Sequence, residues 1–294
     1  MPTISFPDGS KKIFKSSVSP LSIAEEISNS LKKNAVIAKV NGEFWDLNRE
    51  ILEDSDVSIL RKGDKETLEI LRHDCAHILA EAVLEIYPET QVTIGPVIEN
   101  GFYYDFYREE PFSKEDLIII EKRMHEIVDR NERIDREVWS RSDAIKFYED
   151  KNEPFKVELV NNIPKNEELT FYTQGDFIDL CRGPHLRSTL DTGHAFKLMS
   201  VAGAYWRGDS KNPMLQRIYG TAWTTDKELN QYLLMIEEAE KRDHRKIGKA
   251  QKLFHIQEEA TGSIFWHPPG WSIYQEIEAY VRRRLKKASY QEVK

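Results

Sequence analysis

The spacing of hydrophobic positions changes period several times along this chain, and each change marks an element. Residues 3–6 and 12–14 alternate apolar with polar around Pro7-Asp8-Gly9-Ser10, predicting two short strands and a turn. Ser19 before Pro20 predicts an N-cap and a first helical residue. Residues 36–40 lead through Asn41-Gly42, a strong hairpin signal, into two more short strands ending near Leu60. Strand, strand, helix and strands over 1–62 predict a small β-grasp-like module. With no catalytic constellation in it, its expected role is binding or docking.

Near residue 67 the period lengthens. Leu71, Cys75, Ile78, Leu79, Ala82, Val83 and Ile86 recur at i, i+4, i+7 and i+8, one face of a helix. His73 and His77 fall on the opposite face, one turn apart. A loop containing Gly95-Pro96 feeds an aromatic strand near 102–106, and Ser113 with Asp116 predicts a capping box opening a helix to about Asp129. Residues 168–173 and 176–180 flank Gln174-Gly175 as a hairpin. Strands near 196–206 and 214–223 complete an α+β pattern with an antiparallel sheet across 63–225. A second capping box, Thr225 with Glu228, opens a helix through 226–250. Residues 265–271 lead into an amphipathic helix to about Ala288, and residues 290–294 resemble the start of a strand.

The chemistry lies in two split motifs, His73-x-x-x-His77 and Cys181-x-x-x-His185. If they converge, three imidazoles and a thiol form the ligand set of a zinc site or the core of a histidine-based hydrolytic site. The bland alternative is two solvent-facing histidines and an unrelated cysteine. Gly183 and Pro184 bend the chain between Cys181 and His185, placing both at a strand end and its following loop. Cys75, inside the apolar stripe, reads as a buried hydrophobe.

Composition narrows the class. A chain of 294 residues suggests two or three domains. Two cysteines argue for a reducing, cytoplasmic compartment, and no apolar run reaches membrane-span length. The net charge of −8 gives no global nucleic-acid footprint. Any RNA contact is left to local patches such as Lys241, Arg242, Arg245, Lys246 and Lys249, a run that a solvated helix end also explains.

Longer stretches are more specific. Residues 182–185, 203–209, 216–223 and 241–246, together with Trp266-His267-Pro268-x-Gly270-Trp271, resemble the N-terminal part of threonyl-tRNA synthetases, and the resemblance covers the whole chain. It implies a TGS domain at 1–62, an editing domain at 63–225, a basic linker helix at 226–250 and the start of a class II catalytic domain at 251–294. It also implies that ATP, Mg²⁺ and the catalytic zinc belong to a catalytic domain mostly absent here, so ligase activity is not expected of this chain. The implied reaction is ester hydrolysis of Ser-tRNA(Thr), with the acceptor end of tRNA(Thr) as partner. A missing methyl supports only about 10–200-fold discrimination, so a second, hydrolytic site must supply the rest.

For that chemistry His73, His77, Lys156, Cys181 and His185 are the expected catalytic residues. Tyr104 lines the pocket, Asp179 holds the substrate ammonium, and the family suggests an oxyanion or water-placing role for Lys156. A metal-free site is favoured, with zinc on the His/Cys tetrad as the alternative. The full-length enzyme is expected to be a homodimer and this chain a monomer. A non-catalytic tRNA-binding protein and a zinc hydrolase of small esters or amides are the rival functions.

Overall fold

The computed structural model describes residues 1–293 and divides the chain into two units, residues 1–229 and 230–294. In the first unit the chain begins with β1 (Thr3–Ser5), β2 (Lys11–Ile13), α1 (Pro20–Ile27), α2 (Asn29–Asn34), β3 (Ala35–Val40), β4 (Glu43–Trp45) and β5 (Ser55–Arg61). The sheet order is β2-β1-β5-β3-β4, with β1 and β5 parallel and the other pairs antiparallel. Ser19 caps α1 by accepting from Ser22 N, and Pro20 is its first residue. The expected β-grasp module is present.

The next elements are α3 (Thr67–Ile86), β6 (Gln91–Val92), β7 (Val97–Ile98), β8 (Gly101–Tyr107), α4 (Lys114–Arg130), β9 (Ile134–Trp139), α5 (Arg141–Asp150) and α6 (Pro154–Asn162). After them come β10 (Leu169–Gln174), β11 (Phe177–Leu180), α7 (Thr189–Thr192), β12 (Phe196–Tyr205), β13 (Met214–Ala222) and α8 (Asp226–Lys241), whose residues from 230 onward belong to the second unit. The capping boxes at Ser113 and Thr225 both form. The strands build two sheets where one was expected, β11-β10-β9 and β12-β13-β8-β6 with β7 paired to β8. Residues 134–139 and 169–174 pair with each other rather than with the aromatic strand, because α3 lies between the two groups.

That placement also changes the expected character of α3. Its apolar stripe packs against Phe102, Tyr104, Phe106, Ile218 and the inner face of α4. The opposite face is covered too, so His77 and Asp74 are buried. Even Arg72 is enclosed, donating to the Ala222 and Glu99 carbonyls. The helix is central rather than amphipathic. The β-grasp module packs on this assembly through Val36 and Ile37, which meet Ile70 and Leu186.

The second unit holds α9 (His244–Ala250), β14 (Phe254–His255), β15 (Phe265–Trp266) and α10 (Pro268–Lys287). The expected single helix over 226–250 is two, because Asp243 leaves helical geometry and caps α9 by accepting from Arg245 N. The expected strand start at 290–294 does not form over 290–293, where no ladder partner is available, and Lys294 lies outside the described residues. Trp271, Ile273, Tyr274, Ile277, Val281 and Leu285 expose an apolar stripe on α10. No helix among the described residues is long and apolar enough to cross a membrane.

Candidate active site

Strand parity builds the site. In β11 and its continuation, Phe177, Asp179 and Cys181 share one face, while Ile178 and Leu180 face the core made with Tyr148, Val160 and Phe171. Phe177 packs edge-on to His77 of α3, and Cys181 extends the ladder by donating its N–H to the Thr170 carbonyl. The polar face of the hairpin therefore meets the histidine face of α3.

The two split motifs converge there. His73 Nε2 lies 2.9 Å from Cys181 Sγ and His185 Nε2 lies 3.3 Å from it. The His77 ring is 4.8 Å from that of His73 and 4.5 Å from that of His185. His77 and His185 are buried; His73 and Cys181 are half-buried and form the open side. The loop that brings Cys181 and His185 together turns at Gly183, whose φ of 65° favours glycine. A Cβ there would also strike the Tyr172 hydroxyl.

Asp74, which spacing alone did not single out, completes the cluster. Its Oδ1 is 2.7 Å from His185 Nδ1 and its Oδ2 accepts from Leu186 N at 2.9 Å. These contacts separate the histidines electrostatically. Burial would lower the His185 pKa, but the Asp74 charge and the Cys181 sulfur hold it well above the usual value. His77, penalised by burial and by neighbouring His185, is held below it and stays neutral. Burial opposes ionisation of Cys181, yet His73, His185 and His77 outweigh it and pull the thiol well below its usual pKa.

A second cluster surrounds Asp179. Lys156 Nζ lies 2.5 Å from Asp179 Oδ1, and both side chains are only 3% exposed. Tyr104 donates to Asp179 Oδ2 at 2.8 Å and Tyr148 to Oδ1 at 3.1 Å, while Lys156 Nζ is 3.3 Å from the Tyr104 hydroxyl. The carboxylate expected to hold a substrate ammonium is thus already paired, with Lys156 as its cation. Gly95 lies flat against Tyr104, where a Cβ would overlap the ring.

Below His77 on α3, Glu81 accepts from Gln174 Nε2 at 2.5 Å beside Glu132 and Glu85. Burial and these carboxylates push its pKa up to about 8. Burial likewise raises Glu153, which accepts from Val92 N, to about 7. At roughly 100° per residue, Asp74, His77 and Glu81 form one column at the edge of the apolar stripe. That column was the readable signal for the missed acids. Its pH consequence has a definite sign. From the ordinary carboxyl value of 4.5 up to about 8, folded Glu81 keeps a proton that the unfolded chain has lost, so stability falls across that window. Glu81→Gln is expected to match the wild type near pH 4.5 and exceed it by on the order of 1–3 kcal/mol at pH 9. Urea denaturation checks this, and an unchanged pH slope refutes it.

The basic residues of 241–249 are all exposed, and three of them sit in surface ion pairs. Lys241 pairs with Glu237 and Glu238, Arg242 with Glu238, and Arg245 with Asp243. Lys246 and Lys249 are exposed.

The His73, His77, Cys181 and His185 ligand atoms all lie within 4.8 Å of one another, so this donor set could hold a metal ion. Three imidazoles and a thiolate suit zinc, and Asp74 behind His185 is the kind of partner that orients a metal-binding imidazole. The two sulfur–nitrogen distances are hydrogen-bond lengths, shorter than the roughly 3.5 Å edge of a tetrahedral zinc site with usual Zn–S and Zn–N bonds.

Comparison with known proteins fits this arrangement. The TGS domain family matches residues 2–61, and the second additional domain of threonyl and alanyl tRNA synthetases matches residues 169–219, the segment carrying Asp179, Cys181 and His185. The chain thus carries a TGS domain and, further along, a match to a domain described for threonyl and alanyl tRNA synthetases. Over all 294 residues it is 57% identical to threonine–tRNA ligase of Rickettsia akari, and 56% identical to those of Gluconacetobacter diazotrophicus and Maricaulis maris. It spans 46% of the length of each. Over its whole length the chain is thus similar to part of the threonine–tRNA ligases, and it carries matches to the two domains above.

Proposed function

We propose that this chain hydrolyses the ester of Ser-tRNA(Thr), removing serine from the terminal ribose. The observation that carries the reading is the pairing of a neutral His77 with a protonated His185 around one half-buried thiol, within a domain related to synthetase editing modules. Two titratable groups pushed in opposite directions are the signature of separate base and acid roles.

Neutral His77, with His73 helping to hold the ribose or the water, accepts a proton as water attacks the seryl carbonyl. The carbonyl oxygen becomes an oxyanion facing the Lys156 cation. As the tetrahedral intermediate collapses, the carbon–oxygen bond to the ribose breaks, and His185 gives its proton to the departing ribose oxygen. Asp74 keeps His185 protonated and oriented. Cys181, in contact with both His73 and His185, packs against the seryl group and sustains their charge; no covalent acyl-cysteine is required. Tyr104 and Asp179 line the pocket, and the substrate ammonium exchanges with Lys156 on Asp179. Lys241, Arg242, Arg245, Lys246 and Lys249 are exposed and would meet the tRNA backbone, the surface ion pairs of the first three being weak enough to yield to phosphate.

We favour a metal-free site, in which His77 and His185 take the base and acid roles without a metal. Were zinc bound, His73, His77, Cys181 and His185 would hold it, and it would supply an acidified water.

The test is deacylation of Ser-tRNA(Thr) and Thr-tRNA(Thr) by the purified chain, with and without a chelator. Serine-selective, chelator-resistant hydrolysis is expected. Hydrolysis lost on chelation together with stoichiometric zinc would replace the metal-free mechanism, and tRNA binding without hydrolysis would replace the enzyme with a binding protein.

A further inference from the structure

The loop carrying His185 is held from behind by the β-grasp module. Asp46 lies immediately after β4 and is 9% exposed, although it is acidic. Its Oδ1 accepts from the His185 backbone N–H at 2.9 Å, and its Oδ2 accepts from the Tyr172 hydroxyl at 3.0 Å. The Tyr172 ring lies 4.2 Å from the His185 imidazole, and its hydroxyl occupies the space that a side chain at Gly183 would take. Asp46 is itself fixed by its turn. The Arg49 N–H returns to the Asp46 carbonyl, and the Arg49 guanidinium stacks 3.4 Å above Trp45. Around this contact Leu186 inserts between Val36, Ile37 and Ile70, and Arg187 donates to the Lys32 carbonyl.

The imidazole is thus held at two points. Asp74 of α3 fixes its Nδ1, and Asp46 of the β-grasp module fixes its backbone. A buried carboxylate is costly unless its lone pairs are filled, and these two donors are what fill it. We infer that Asp46 is a positioning residue of the ester-hydrolysing site, so that the β-grasp module, expected only to dock or bind, completes the geometry of a catalytic loop on another domain. The catalytic consequence rests on the proposed hydrolysis; the positioning does not.

The test compares the full chain with Asp46→Ala and Asp46→Asn, the latter retaining an oxygen for the His185 N–H. Amide deuterium exchange is followed over residues 181–187 and, as a control, over β3 and β5. In the alanine variant the loop is expected to exchange at least tenfold faster with the control strands unchanged. The kcat for Ser-tRNA(Thr) is expected to fall at least tenfold with KM within twofold, and asparagine is expected to restore most of both. An unaltered loop overturns the inference. Exchange that rises equally across the β-grasp strands also overturns it, because Asp46 then merely holds its own domain together. A faster loop in a chain whose wild type does not deacylate Ser-tRNA(Thr) upholds the positioning and sinks the hydrolysis reading instead.

Discussion

Lys156→Met is expected to destabilise the first unit by about 3–5 kcal/mol, a loss that Asp179→Asn in the same chain largely reverses. The pair is enclosed, each side chain being 3% exposed, and the surrounding groups are donors rather than alternative cations. Removing the lysine leaves the Asp179 charge supported only by Tyr104, Tyr148 and the Leu180 N–H. That is an uncompensated buried carboxylate, among the costliest single changes in a folded chain. Removing both charges leaves a neutral amide that the same hydroxyls can satisfy. Urea denaturation of the wild type, both single variants and the double variant closes the cycle. A coupling energy below about 0.5 kcal/mol would mean that water already solvates the pair, and that Lys156 is free rather than exchanged by substrate. All three variants are expected to hydrolyse Ser-tRNA(Thr) poorly, so stability and activity separate in the double variant.

Asp74→Asn is expected to reduce kcat for Ser-tRNA(Thr) hydrolysis about 10²–10³-fold while leaving the fold intact. Asparagine keeps an oxygen for the Leu186 N–H, which preserves the local backbone. It offers an amide N–H where His185 Nδ1 now meets a carboxylate, which favours the opposite tautomer and removes the charge that holds His185 protonated. The acid for the leaving ribose oxygen is then missing at neutral pH. The pH profile gives the sign. Wild-type His185 stays protonated until pH exceeds its raised pKa, whereas in the variant the high-pH limb of activity, where the acid is lost, moves to lower pH. Single-turnover deacylation across pH 5–9 reads both effects. A variant whose kcat and limb are unchanged would remove His185 from the acid role.

How much of this was legible before folding depended on the kind of signal. Caps and turns were read to within a residue because they are local. Ser19, Ser113 and Thr225 cap the helices they were expected to cap, and Asn41-Gly42 turns its hairpin; the second hairpin turns one residue later than expected, at Gly175-Asp176, because Gln174 stays in the ladder opposite Phe177. The helical break at Asp243 was missed although aspartate is an N-cap residue, because the basic run around it reads as one continuous helix. The four members of the tetrad were found because histidine and cysteine at fixed spacing are rare enough to notice. Asp46, Asp74, Tyr148 and Tyr172 were passed over, since acids and tyrosines are common and only burial separates a structural acid from a solvated one.

The alternation Phe177-Ile178-Asp179-Leu180-Cys181 already decided that Asp179 and Cys181 share a face, and helical spacing decided that His73 and His77 share another. Both follow from backbone periodicity within a few residues. That these two faces meet was decided only when α3 came to lie between two sheets, bringing residues more than a hundred positions apart to 2.9 Å. Protonation belongs to the same level. Identical imidazoles at His77 and His185 diverge because one is simply buried and the other is buried against Asp74, and burial is a property of the packed whole.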